Sequence, residues 1–124
     1  MRALIPAILL MLPGCDTLFT SAVGTWEGTC ETESYGYSAD FDFEVEIEED
    51  KGGELAGEGS IEVYGYDADG DAEGSRAGTE VEIEVEAEFS GYSFDFELEG
   101  ELDGDEMSGD CKIGGLSGEF EAER

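Results

Sequence analysis

The sequence predicts an all-β fold: an up-and-down antiparallel meander of about eight strands, closed or nearly closed into a barrel. Three observations carry that expectation. First, apolar and acidic residues alternate with period two. Phe41, Phe43, Val45 and Ile47 are interleaved with Asp40, Asp42, Glu44, Glu46 and Glu48. Val81, Ile83 and Val85 sit between Glu80, Glu82, Glu84 and Glu86, and Phe94, Phe96 and Leu98 flank Asp95 and Glu97. Such alternation describes strands with one buried and one wet face. Second, Gly-rich and Asp-rich breaks recur at hairpin spacing, at Lys51-Gly52-Gly53, Asp67 to Asp71, Ser90-Gly91, Asp103-Gly104-Asp105 and Gly114-Gly115. Third, no helical periodicity appears after the N-terminal segment. A flattened β sandwich is the alternative arrangement of the same strands.

The elements follow in chain order. Residues 1–14 form an apolar leader, 15–22 a short tether, and 23–124 the barrel domain. The first strand, 23–32, carries Trp26 and Cys30 on one parity. The second, 39–49, has the strictest alternation, and the third, 54–65, places Gly57 and Gly59 inward. The fourth, 72–77, is weak because Gly74 and Gly78 leave it little to pack. The fifth (79–89) and sixth (92–102) repeat the apolar–acid alternation. The seventh (105–113) holds Met107 and Cys111, and the eighth (116–124) Phe120, Ala122 and Arg124. An internal repeat of roughly 53 residues overlies this order: residues 41–45 match 94–98, and Leu55-Ala56-Gly57 matches Met107-Ser108-Gly109. Two four-strand halves and convergence on shared strand chemistry both account for it.

Composition narrows the function. The chain has 34 acidic residues against 5 Lys+Arg, a formal charge of −29, and no His, Asn or Gln. A nucleic-acid partner needs a basic face, which this chain lacks, and binding to an anionic bilayer by charge is excluded likewise. Without histidine there is neither a serine triad of the usual kind nor a His-based zinc site. The carboxylates are too many and too regular to single out a catalytic pair. The expectation is therefore a protein that is not an enzyme. Acids lying opposite acids on neighbouring strands repel, so the melting temperature is expected to rise with NaCl or with modest acidification.

Arg2 precedes an apolar run over residues 3–12, too short to span a bilayer as a helix. The run ends in Leu12-Pro13-Gly14-Cys15, which resembles the lipobox of bacterial lipoproteins. The resemblance implies cleavage before Cys15, lipid on its thiol, and a barrel anchored to a membrane of the bacterial cell envelope, facing the periplasm or the cell surface. Asp16 resembles an inner-membrane retention signal of some enteric bacteria. Loss of Arg2 with the leader takes the charge from −29 to −30. With Cys15 assigned to lipid, Cys30 and Cys111 remain as an even pair in an oxidising compartment. They pair as a disulfide or stay as buried thiols. Their strands flank the eighth, and two strand spacings of roughly 9–10 Å exceed disulfide reach. Either the eighth strand starts lower, or the barrel is pinched beside Gly118, or the cysteines do not pair.

Gly24-Thr25-Trp26 resembles the G-x-W opening of the first strand in lipocalins and related calycins, which include the avidins. In those barrels a basic residue of the last strand crosses the tryptophan at the closed end. The resemblance implies that role for Arg124 over Trp26, as a barrel-closing pair in a calycin-like architecture; a small apolar ligand is expected as partner from the tyrosines and inward glycines of the barrel.

Up-and-down topology sends Tyr35, Tyr37, Tyr64, Tyr66 and Tyr92 to one end of the barrel. They form either a ligand rim or a cap on the core. Inward Gly57, Gly59, Gly100, Gly109 and Gly118 either leave a cavity or relieve crowding where the strands bend. The acidic loop containing Asp67, Asp69, Asp71 and Glu73 is the candidate Ca²⁺ site, with oxygen ligands at alternate positions. Its glycine pattern is not that of an EF-hand. The functional expectation is a non-catalytic binding module. Its alternatives are a structural surface lipoprotein without a small ligand, and a divalent-cation binder.

Overall fold

The computed structural model describes residues 21–34 and 36–124. Eight strands follow one another: β1 (Gly24–Ser34), β2 (Tyr37–Lys51), β3 (Glu54–Val63), β4 (Tyr66–Ala77), β5 (Glu80–Phe89), β6 (Tyr92–Asp103), β7 (Glu106–Ile113) and β8 (Leu116–Glu123). Each pairs antiparallel with the next, and β1 pairs with β8, so the sheet is a closed barrel. Closure sets the sandwich arrangement aside and leaves no exposed strand edge.

Every hairpin turns in two residues, which sharpens the boundaries drawn from sequence. The largest change is at β4. The acidic segment 67–71, expected as a loop, is strand, because the turn is confined to Tyr64-Gly65 between the paired Val63 and Tyr66. Ala68 and Ala72 point inward and are buried, while Asp67, Asp69, Asp71 and Glu73 are exposed. Small inward residues disguised a strand as a turn-rich segment.

The inward set forms one continuous core, with Trp26, Phe96 and Phe120 the largest fully buried side chains. Phe43 of β2 and Phe96 of β6, equivalent positions in the sequence repeat, meet across the interior with ring centroids 5.1 Å apart. The two halves also close alike. The Arg76 amide donates to the Gly53 carbonyl at 2.6 Å, and the Arg124 amide donates to the Asp105 carbonyl at 3.0 Å. Gly53 and Asp105 each hold the second turn position of a hairpin, β2–β3 and β6–β7.

The inward glycines open no cavity. A Cβ on Gly57 would run into the Glu46 carbonyl, one on Gly118 into the Glu31 carbonyl, and Gly100 and Gly109 face each other with no room for either. Their absent side chains are where the strands press together.

Cys30 and Cys111 form a disulfide with their Cα atoms 6.1 Å apart. Strand β8 does lie between them, since Cys30 is opposite Phe120 and Cys111 opposite Gly118. The flat-sheet spacing fails because the wall bends sharply at Gly118, whose bare Cα lets β1 close over β8. The pinched barrel is the arrangement found.

Candidate functional site

The two ends of the barrel are chemically unlike. At the end where the chain enters β1, Trp26 is fully buried and its Nε1–H donates to the Ala22 carbonyl at 2.8 Å. The Arg124 guanidinium carbon lies 4.6 Å from the Trp26 ring centroid, a cation–π distance. Its Nη1 donates to the carbonyls of Ser21 (2.7 Å) and Val23 (2.9 Å), its Nη2 to the Gly104 carbonyl (3.0 Å), and its Nε to Asp105 Oδ1 (3.1 Å). One side chain thus ties the entering segment to the tryptophan and to the β6–β7 turn.

A second clamp at this end escaped the sequence reading. The Asp50 carboxylate is 1% exposed and accepts from Arg76 Nε at 2.6 Å, Arg76 Nη2 at 3.2 Å, the Ala22 amide at 2.9 Å and the Gly53 amide at 3.2 Å. Asp50 belongs to a run of acids that reads as solvent-facing. However, the β2–β3 register slips between Ile47 and Glu49, and the bulge carries Asp50 to inward parity opposite Leu55. The interrupted alternation at Glu48-Glu49-Asp50 was the available signal. Burial pushes the Asp50 carboxyl up, but the bonds from Arg76, Ala22 and Gly53 and the guanidinium charge outweigh it and hold the pKa below the ordinary aspartate value.

At the far end, the hairpins β1–β2, β3–β4 and β5–β6 carry aromatic residues that rise above the core. Tyr37 is 81% exposed, Tyr64 84%, Tyr92 77% and Tyr66 59%. Tyr64 stands edge-on to Phe41 with centroids 6.5 Å apart, and Tyr66 lies against Phe89 at 4.8 Å. Tyr35 and Cys15, both singled out from sequence, lie outside the described residues. The rings edge the mouth without sealing it. Beneath them the interior is occupied by the chain's own side chains.

The wall between the ends is anionic. The concavities on it are open and are lined by outward acids such as Glu73, Glu84, Glu97 and Asp110. Asp67, Asp69, Asp71 and Glu73 alternate along the extended β4 and are strung out along the wall. Among the described residues, no three acidic or thiol side chains converge as a metal ligand set.

Like charges do sit directly opposite one another: Glu73 faces Glu84 across β4–β5, and Glu84 faces Glu97 across β5–β6. A partial loss of hydration, then the charges of Asp95, Glu97, Glu86 and Glu73, push the Glu84 pKa above the ordinary glutamate value. The sign for stability follows. Glu84 takes up its proton more readily folded than unfolded, so acidification through its raised value stabilises the barrel. Asp50 acts oppositely: its contribution is complete above the ordinary aspartate value and is lost only as pH falls through its lowered one. Melting temperature is therefore expected to rise from neutral pH towards the carboxylate range, then fall in stronger acid. At neutral pH it should rise as NaCl is taken to about 1 M, where the Debye length is roughly 3 Å. Thermal melts across both titrations check this, and flat curves in both would refute it.

Comparison with protein-family models, with curated proteins and with solved structures finds no match to this chain.

Proposed function

We propose that the chain is a lipid-anchored protein of the bacterial cell envelope. It is cut before Cys15 and acts as a non-catalytic binding module that presents its aromatic end away from the membrane. The observation that carries this reading is the polarity of the barrel. Ser21, Ala22 and Val23 are held at one end by Arg124 and Asp50, while Tyr37, Tyr64, Tyr66 and Tyr92 are exposed at the other. Six residue-to-residue steps separate Cys15 from Ser21. Fully extended they reach about 20 Å, so the clamp keeps the entry end close to the lipid headgroups.

The barrel stands outside the bilayer. A membrane-spanning barrel turns apolar residues outward and polar ones inward. Here every long strand has the reverse pattern, as in β5, where Val81, Ile83, Val85 and Ala87 are buried and the intervening glutamates exposed. The inward side chains form one continuous hydrophobic core, which supports placing the binding role on the outer aromatic rim.

Intact mass of the protein extracted from a bacterial membrane tests the anchor. The expected mass lacks residues 1–14 and carries diacylglyceryl on Cys15, and C15A should remain uncut and free of lipid. A processed chain with a free thiol at Cys15 would refute it.

A further inference from the structure

We propose that the aromatic end binds a cationic polypeptide segment, with guanidinium or ammonium groups over the rings of Tyr37, Tyr64 and Tyr92 and hydrogen bonds to the carboxylates beside them. This rests on the reading of the far end as the binding surface. Three observations support the site and its occupant.

The rings are displayed, and that of Tyr64 is held. Tyr64 occupies the first position of a two-residue turn with φ of 51°. That conformation favours Asn, Asp or Gly and strains a bulky residue. Neither the turn nor burial accounts for a tyrosine there, since it is 84% exposed. Strain of this kind persists where a side chain is needed in place. Contacts with Phe41 fix its ring, and Tyr66 and Phe89 brace each other on the neighbouring hairpins.

The residues next to the aromatic turns are acidic. Next to the aromatic turns lie the exposed Glu33 of β1, the pair Glu62 and Asp67 across β3–β4, and Glu88 of β5. Of the described cations, Lys51, Arg76 and Arg124 belong to the entry end, and Lys112 of β7 lies opposite Glu97 and Ser117, beside the hairpin without aromatics. Rings ringed by carboxylates suit cation–π contact with charge-assisted hydrogen bonds.

The remaining occupants fit poorly. A second copy would bring another −30 against the first, and nucleic acid or anionic lipid would be repelled. A neutral glycan brings hydroxyl donors but no positive charge to set against the carboxylates of the rim. The rim supplies acceptors, so its partner supplies donors, as lysine and arginine side chains do.

The test is calorimetry on the mature lipidated chain in a neutral detergent, at about 0.15 M salt. The probes are hexa-arginine and the neutral sugar chitohexaose. Hexa-arginine should bind, and Y37S/Y64S/Y92S, which leaves the charge unchanged, should weaken it by about tenfold. Removing three charges from the entry end with E54Q/E80Q/E101Q should change affinity less than about twofold, since those carboxylates lie far from the rim. Circular dichroism melts confirm that both variants fold. Equal binding by the tyrosine variant would overturn the proposal, reducing the interaction to bulk charge. Binding of chitohexaose alone, lost with the tyrosines, would overturn it while leaving the binding-module reading intact. Binding of neither probe would overturn both.

Discussion

Asp50→Ala is expected to destabilise the barrel by roughly 3–5 kcal/mol, the usual consequence of removing one partner from a buried ion pair. The carboxylate is 1% exposed and Arg76 12%, so the substitution strands a guanidinium that water reaches poorly. It also leaves the Ala22 and Gly53 amides without their acceptor. For a domain of this size, that corresponds to a fall in melting temperature of more than about 10 °C. Asp50→Asn keeps an acceptor for the amides and should recover part of the loss, though not the ion pair. Replacing Asp50 and Arg76 together by apolar residues of similar volume should cost much less than Asp50→Ala, because neither charge is then left alone. Thermal and urea melts of the three variants check this ordering. If Asp50→Ala melts within about 2 °C of the parent, the clamp contributes little to stability.

Loss of the Cys30–Cys111 bridge should have an effect of similar size. The bond closes 81 residues of separation, nearly the whole barrel, and joins β1 to β7 across the closing strand. The chain-entropy estimate for such a loop is about 4.5 kcal/mol, within the usual range of about 2–5 for native disulfides. C30A/C111A should therefore melt well below the oxidised parent, and reduction of the parent should reproduce most of the drop. A reduced protein that melts with the oxidised one would show that hydrogen bonding between β8 and its neighbours holds the barrel closed without the bridge. Asp50 and the disulfide act at different places, one at the entry end and one across β8, so the two losses should be close to additive.

Much of the architecture was legible because alternation is a local signal. Phe41 to Ile47 and Val81 to Val85 declare an inward face without reference to anything distant, and the turn glycines mark where each strand stops. The Trp26–Arg124 contact was also legible, through residue type and position in the first strand and just past the last. What escaped depended on register. Asp50 looks like one more surface acid until a bulge between Ile47 and Glu49 turns it inward to meet Arg76. The segment 67–71 looks like a loop because its inward residues are Ala and Gly, and only pairing with β3 reveals a strand. The cysteine pairing was ambiguous for a similar reason: spacing in a flat sheet forbids it, and only the bend at Gly118 brings the Cα atoms to 6.1 Å.

By itself the sequence determined the class of fold and the place of the charge on outward strand positions. These follow from period-two patterning, in which each residue's face depends only on its neighbours along the chain. The tertiary structure decided the rest: closure through β1 and β8, the clamp of Asp50 on Arg76, the strand through 67–71, and the bend at Gly118 that brings Cys30 to Cys111. Those depend on which strand lies beside which, at what register and curvature. A one-residue shift reverses a side chain's face, and a bend of the wall changes every distance across it.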